Sequence, residues 1–141
     1  MKIVVIGGGA AGMMAACTAA EHGAKVTLIE RNSQLGIKVN ITGKGRCNVT
    51  NDSEPEALIK NTLTNGRFLY SAFAGLSAQD TMAFFERIGV PLKVERGKRV
   101  FPVSDNARDI TGALKNHLHR LGVTVLQHRV KNIVLKDGVV S

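Results

Sequence analysis

The chain lacks most of what would place it in a membrane, in an oxidising compartment or around a metal ion. No apolar run in its 141 residues approaches the roughly 20 residues that a spanning helix needs. One lysine precedes a short apolar run at the N-terminus and no small-residue cleavage site follows, so no signal peptide is expected and a cytoplasmic location is. There are two cysteines, Cys17 and Cys47, without CxxC spacing or a companion His/Cys cluster, which argues against a zinc site and against a disulfide framework. His117 and His119 stand two apart on a predicted helix and face different directions. With His128 they make no metal triad and are expected to be solvated. Aromatics are 4% of the chain, and no RNP-like or KH-like signature appears. Acids are scarce too: 11 against 19 lysines and arginines, a formal net charge of +8 and a pI near 9.9. That balance favours anionic partners, or belongs to one piece of a longer protein with its acidic regions elsewhere.

What is present is an ordinary globular composition, 44% apolar and 21% charged, without internal repeats, low-complexity runs or linkers. Residues 2–6 (KIVVI) read as a short strand of the kind buried on both faces. Residues 10–22 read as a helix rich in Ala and Met, closed by Gly23, and residues 25–30 (KVTLIE) as a second strand. Strand, helix and strand in so short a span predict a parallel βαβ unit. Residues 32–53 look like a long loop, and 56–75 hold a helix or two. Ser77 with Asp80 three residues on caps a helix that Gly89 ends. Residues 92–102 predict a hairpin turning near Arg96-Gly97. Ser104 or Asp105 starts a helix with Ile110, Leu114, Leu118 and Leu121 on one face, and 123–128 is a third parallel strand. "VKNIVLKDGVVS" predicts a strand, a Lys-Asp-Gly turn and a strand cut short, so the chain is expected to be an N-terminal piece.

Gly7, Gly9 and Gly12 form G-x-G-x-x-G directly after the first strand, in "VVIGGGAAGMMAA". Gly7 allows a tight turn, Gly9 presents no side chain to a pyrophosphate, and Gly12 lets the helix lie close. The free amides around Gly9 to Gly12 then point at phosphates, with the helix dipole behind them. Glu30 ends the second strand 18 residues past Gly12, near the spacing of a ribose-binding acid. Strand before, helix after, strand next and acid at its end together make a dinucleotide site the expected reading. The excursion "ERNSQLGIKVNITGKGRCNVTN" favours FAD over NAD, since it could fold across an extended cofactor. Lys38, Lys44 and Arg46 are candidate anion contacts there, and Asn48 and Thr50 candidate hydrogen-bonding groups.

These strings, with "LIERN" and "GKRVFPVSDNARDITGALKNHL", make most of the chain resemble the BaiN/RdsA-type NAD(P)/FAD-dependent oxidoreductases, flavoproteins with two dinucleotide-binding domains. The string from Lys38 to Asn51 is the most distinctive. The order of elements is itself an α/β pattern carrying a helical and hairpin insertion at 53–100, and the resemblance implies a Rossmann-like α/β domain, incomplete relative to the family. It implies FAD along Gly7, Gly8, Gly9, Ala10, Ala11 and Gly12, with Glu30 on the adenosine ribose beside Arg31. It also implies further cofactor contacts at Lys38, Gly45, Arg46, Cys47 and Asn48 near the flavin, and main-chain contacts at Val130 with the adenine. Family members are considerably longer, so the rest of the polypeptide is expected to complete the site.

The remaining constellations are read as packing or solvated surface. Arg46 beside Cys47 could lower the thiol pKa, yet no second thiol is at hand and a structural thiol is favoured. Cys17, Met13 and Met14 are helix packing, and His22 complements its helix dipole. Lys93, Arg96, Lys98 and Arg99 are expected on a solvated hairpin, where Arg99 or Phe101 could also shape a substrate pocket. The expected function is an FAD-dependent oxidoreductase acting on a small-molecule substrate, with NAD(P)H as a candidate reductant although no second G-x-G-x-x-G is seen. No catalytic acid or base is identified and no metal is expected. A basic nucleic-acid-binding module, with nucleic acid the less favoured partner, and a non-functional truncated flavoprotein are the alternatives.

Overall fold

The computed structural model describes residues 1–136 and 139–140. In chain order the elements are β1 (Lys2–Ile6), α1 (Ala10–Glu21), β2 (Lys25–Glu30), α2 (Ile37–Ile41), β3 (Thr50–Asn51), α3 (Pro55–Lys60), α4 (Tyr70–Gly75), α5 (Ala78–Arg87), β4 (Leu92–Glu95), β5 (Arg99–Pro102), α6 (Ala107–Arg120), β6 (Thr124–Gln127), β7 (Leu135–Lys136) and β8 (Val139–Val140). The chain divides into two compact units, residues 1–37 with 114–141 and residues 38–113.

The first unit is a Rossmann-like α/β layer. β1, β2 and β6 form a parallel sheet in the order β1-β2-β6, with Lys2 opposite Lys25 and Ile6 opposite Ile29, and then Thr27 opposite Thr124 and Glu30 opposite Gln127. β-Branched residues supply β1. α1 turns Met13, Ala16 and Cys17 inward at helical spacing, all fully buried. Gly23 then ends the turn at φ +81°, as a left-handed residue past a helix does. His117 on the second half of α6 ties to Glu21 on α1 (Nε2 to Oε1, 2.8 Å). It is buried, not solvated as the sequence suggests, because a carboxylate meets it where an apolar stripe faces inward. His119 and His128 are exposed.

β1 also departs from expectation. Val4 and Ile6 are more than half exposed (56% and 54%), and Val125 and Leu126 on β6 are exposed to a lesser degree. An apolar strand in a parallel sheet predicts cover on both faces. Here β1 is an edge strand, and among the described residues the face carrying Val4 and Ile6 is left largely open.

The second unit carries an antiparallel sheet, β3-β5-β4, with Val100 at its centre, opposite both Thr50 and Val94 and fully buried. The 32–53 segment is not one loop. It holds α2, a 3-10 turn at Thr42–Gly45 and β3, elements too short to leave a period in the sequence. Asn40 anchors α2 by accepting from Thr111 Oγ1 on α6 (2.9 Å). α5 starts at Ser77 with the reciprocal cap to Asp80 and packs Phe84 edge-on to Phe85. α6 begins past Asn106, whose Oδ1 accepts from Arg108 N (3.0 Å), two residues beyond Ser104. Ile110, Leu114 and Leu118 are buried and Leu121 half-buried. β7 and β8 pair antiparallel. The rest of the predicted Lys-Asp-Gly turn, residues 137–138, lies outside the described residues, and 128–134, read partly as strand, has no regular structure. No described helix is long and apolar enough to cross a membrane.

Candidate functional site

The glycine-rich turn between β1 and α1 sorts its glycines by what surrounds them. Gly7 sits at φ +101°, a conformation side chains rarely adopt, and its amide donates to Ile29 O (2.8 Å). A Cβ on Gly8 would run into the Leu35 side chain and crowd Glu30, and a Cβ on Gly12 would overlap the Gly7 carbonyl oxygen. Gly7 is called for by its backbone conformation, and Gly8 and Gly12 by the atoms around them. Gly9 is different. It is exposed, its φ is −78°, and a Cβ there would meet nothing within 4 Å. Among the described residues no contact calls for a glycine at that position.

Gly9 is the N-cap of α1 and no side chain caps the helix. The first intrahelical bond runs from Met13 N to Gly9 O (2.9 Å), so the amides of Ala10, Ala11 and Gly12 precede it and have no helical acceptor. Ala10 and Ala11 are exposed, and the first turn holds no acidic side chain. A bare, uncapped helix start with its dipole unopposed is an anion cradle.

Glu30 stands at the end of β2 and faces this turn. Its Oε2 accepts from Gly8 N (2.6 Å), and its Oε1 from Asn32 N (2.8 Å) and Asn32 Nδ2 (2.6 Å). The Asn32 amide, then that of Gly8, holds the carboxyl below the ordinary carboxylate value. It is therefore ionised, and its remaining lone pairs can accept from hydroxyls. The segment after Glu30 returns onto the turn, with Gly36 N donating to Gly8 O (2.8 Å) and Leu35 buried there. Sequence reading missed this closure, although "QLG" carries its signal, one apolar residue and a glycine in a polar stretch. Arg31 is exposed beside Glu30. β6 ends opposite Glu30, with His128 N donating to Glu30 O (3.0 Å), which puts Val130 three residues past the same carboxyl end of the sheet. Ligands of open α/β sheets bind at that end.

In the second unit the 42–48 loop is held by side chains. Gly43, Lys44, Gly45 and Cys47 all have positive φ, +55°, +59°, +84° and +60°. Arg46 was a candidate anion contact, but its charge is taken. Its Nη2 reaches Glu95 Oε1 (2.5 Å) and Asp105 Oδ1 (2.6 Å), and its guanidinium lies 4.1 Å above the Phe101 ring. Lys93 Nζ completes the cluster at Asp105 Oδ2 (2.7 Å). With Arg46 paired, burial decides the state of Cys47 and pushes its thiol up. Cys17, fully buried, is pushed up to about 11 by burial and then by the Glu21 charge. Neither thiol carries the chemistry of an activated nucleophile. The Asn48 amide nitrogen, in the orientation that satisfies it, donates to Thr50 O (3.0 Å) and Val100 O (3.3 Å). Lys38 and Lys44 are exposed, and Phe101 is buried.

A parallel sheet, a glycine-rich strand-to-helix turn and an acid at the end of the next strand define a Rossmann-type nucleotide-binding domain. The chain belongs to the family described as HI0933-like protein Rossmann domain, whose model matches residues 1–140. It is 32% identical over 126 residues to the 3-dehydro-bile acid delta(4,6)-reductase of Clostridium scindens, covering 88% of this chain and 30% of that protein. It is 31% identical over 122 residues to the ribosomal RNA dihydrouridine synthase of Escherichia coli, covering 86% of this chain and again 30% of the relative. The chain thus spans less than a third of these curated relatives. Among solved structures, an open flavocytochrome c3 fumarate reductase matches with a TM-score of 0.72 at 24% identity, over 96% of this chain and 28% of that one. A 3-ketosteroid-delta4-(5alpha)-dehydrogenase from Rhodococcus jostii RHA1 matches with 0.70 at 18%, over 95% and 39%. These two share the fold.

Proposed function

We propose that this chain is the FAD-binding N-terminal part of a flavin-dependent oxidoreductase. The observation that carries the reading is Gly9, bare and exposed at an uncapped helix start where packing asks for no glycine. A diphosphate approaching the Ala10, Ala11 and Gly12 amides requires one. In this reading Gly7 to Gly12 line the pyrophosphate, Glu30 accepts from ribose hydroxyls beside Arg31, and main-chain groups at Val130 meet the adenine. Glu30 disfavours a 2′-phosphate by charge. Lys38, Gly45, Cys47 and Asn48 are assigned to the flavin end, and Arg46 sets the loop that carries them. Segment 53–100 is an insertion in the domain, and the rest of the polypeptide covers the open face of β1. When bound, the isoalloxazine supplies hydride and electron transfer. NAD(P)H is the proposed donor and the cytoplasm the proposed location.

The test is the full-length protein carrying Gly9→Val. Wild type should purify yellow and release FAD on denaturation. The variant should fold with unchanged circular dichroism and melting temperature, and lose its flavin. Full flavin occupancy in the variant would remove the cradle from the site.

The substrate class divides along the relatives, one named for a bile acid and one for ribosomal RNA. A small molecule is the first reading. An RNA substrate is the second, favoured by the net charge of +8.

A further inference from the structure

Five cations on or against the β4–β5 hairpin fall into two groups. Arg46 and Lys93 are consumed by Glu95 and Asp105. Arg96, Lys98 and Arg99, on the turn between β4 and β5, are all exposed, and no carboxylate lies within ion-pair distance of any of them among the described residues. Glu95, opposite Arg99 in the ladder, is drawn to Arg46 and Lys93 instead.

The turn is also stiff. Glu95 pairs with Arg99, so three residues make the loop, with Gly97 at φ +76° and Lys98 at +58°. Arg99 Nε donates to Arg96 O (3.1 Å). Asn51 Nδ2 caps Gly97 O (2.8 Å), and Asp52 N donates to Lys98 O (2.8 Å), so β3 braces the tip from beside β5. Arg99 Cζ also lies 5.6 Å from the Phe101 ring centroid, and three cations without an ion pair on a braced turn would lose less side-chain and loop entropy on meeting a polyanion than a flexible basic tail.

We propose that the β4–β5 turn is the contact surface for the phosphate backbone of an RNA, with Arg96, Lys98 and Arg99 each facing phosphate. The proposal rests on the RNA reading of the substrate and deepens it. Such contacts position an RNA without reading its sequence and give a salt-dependent affinity.

The test uses the full-length protein and a labelled single-stranded transcript of ribosomal sequence, titrated across salt concentration. Arg96→Ala, Lys98→Asn and Arg99→Ala are combined, asparagine being tolerant of the left-handed position. Loss of three phosphate contacts should make the slope of log affinity against log salt shallower by about 2, at ~0.7 per contact on a single strand, and weaken binding at least tenfold at low salt. Arg96→Lys with Arg99→Lys should keep the slope. Flavin absorbance per protein should match wild type in every variant, and this controls for folding. An unchanged slope and affinity in the triple variant would overturn the proposal. So would a wild-type protein that binds no RNA, or a triple variant that raises only the KM for NADPH. A colourless wild-type protein would sink the flavin reading instead, and the RNA titration is scored independently of it.

Discussion

The two glycine-rich stretches use the same residues for opposite ends. At 7–12 the proposed cradle is backbone: Gly9 leaves the helix start clear of a side chain, and one carboxylate, Glu30, holds the turn through the Gly8 amide. At 42–48 the backbone is bent into four positive-φ residues, and a side chain fixes it: Arg46 spans two carboxylates and an aromatic ring. A cradle for phosphate needs unpaired amides and no bulk. A loop that must keep a strained path needs an anchor. A cation in a glycine-rich loop can serve the fold, and the partners of Arg46 show that it anchors its own loop.

The contrast breaks most sharply at Gly12. Gly12→Val would drive a side chain into the Gly7 carbonyl, so the full-length variant should fail to accumulate as folded protein, whereas Gly9→Val should fold and lose only flavin. Equal behaviour of the two variants, scored by soluble yield and thermal melt, would dissolve the distinction between packing glycines and ligand glycines. The anchor of the second loop comes next. Phe101 is buried under the Arg46 guanidinium, and Phe101→Ala should cost about 3–5 kcal/mol in chemical denaturation. Loss of amide protection should centre on 42–48 and the β3-β5-β4 sheet. A cost below 1 kcal/mol would mean that the loop is not supported from below.

Much of this was legible because it is local. The Ser77 cap, the Arg96-Gly97 hairpin and the Ile110-Leu114-Leu118 stripe are written in periodicity and turn chemistry over about a dozen residues, and the βαβ unit in three consecutive elements from Lys2 to Glu30. The roles of Gly7 and Gly12 follow from their position after a strand. What was not legible depends on partners distant in the chain. Arg46 is 49 residues from Glu95 and 59 from Asp105, and His117 is 96 from Glu21, so no spacing rule links them. The break of 32–53 into α2, a 3-10 turn and β3 was hidden because each piece is shorter than two helical turns or three strand residues. The exposure of Val4 and Ile6 is a property of neighbours, not of β1's composition.

Glu30 gives the finest division between the two regions. Its carboxyl is held below its ordinary value of 4.5 by the amides of Asn32 and Gly8, so the stability it contributes is present above 4.5 and fades as pH falls through its lower folded value. Glu95 and Asp105 are likewise depressed, Glu95 by Arg46 first and Asp105 by Lys93 first, so the second loop loosens in acid as well. Glu30→Ala leaves the buried Gly8 amide without its acceptor and should cost about 1–3 kcal/mol at neutral pH. Amide exchange at Gly8 and at Cys47, followed down through pH 4.5, separates the regions. In the wild type both amides should lose protection. In Glu30→Ala the Gly8 amide should already be fast at neutral pH and flat below it, while Cys47 keeps its acid response. If Gly8 retained an acid-dependent step without Glu30, another group would be holding the turn, and the carboxylate's assignment to both the Gly8 amide and a ribose would have to be given up.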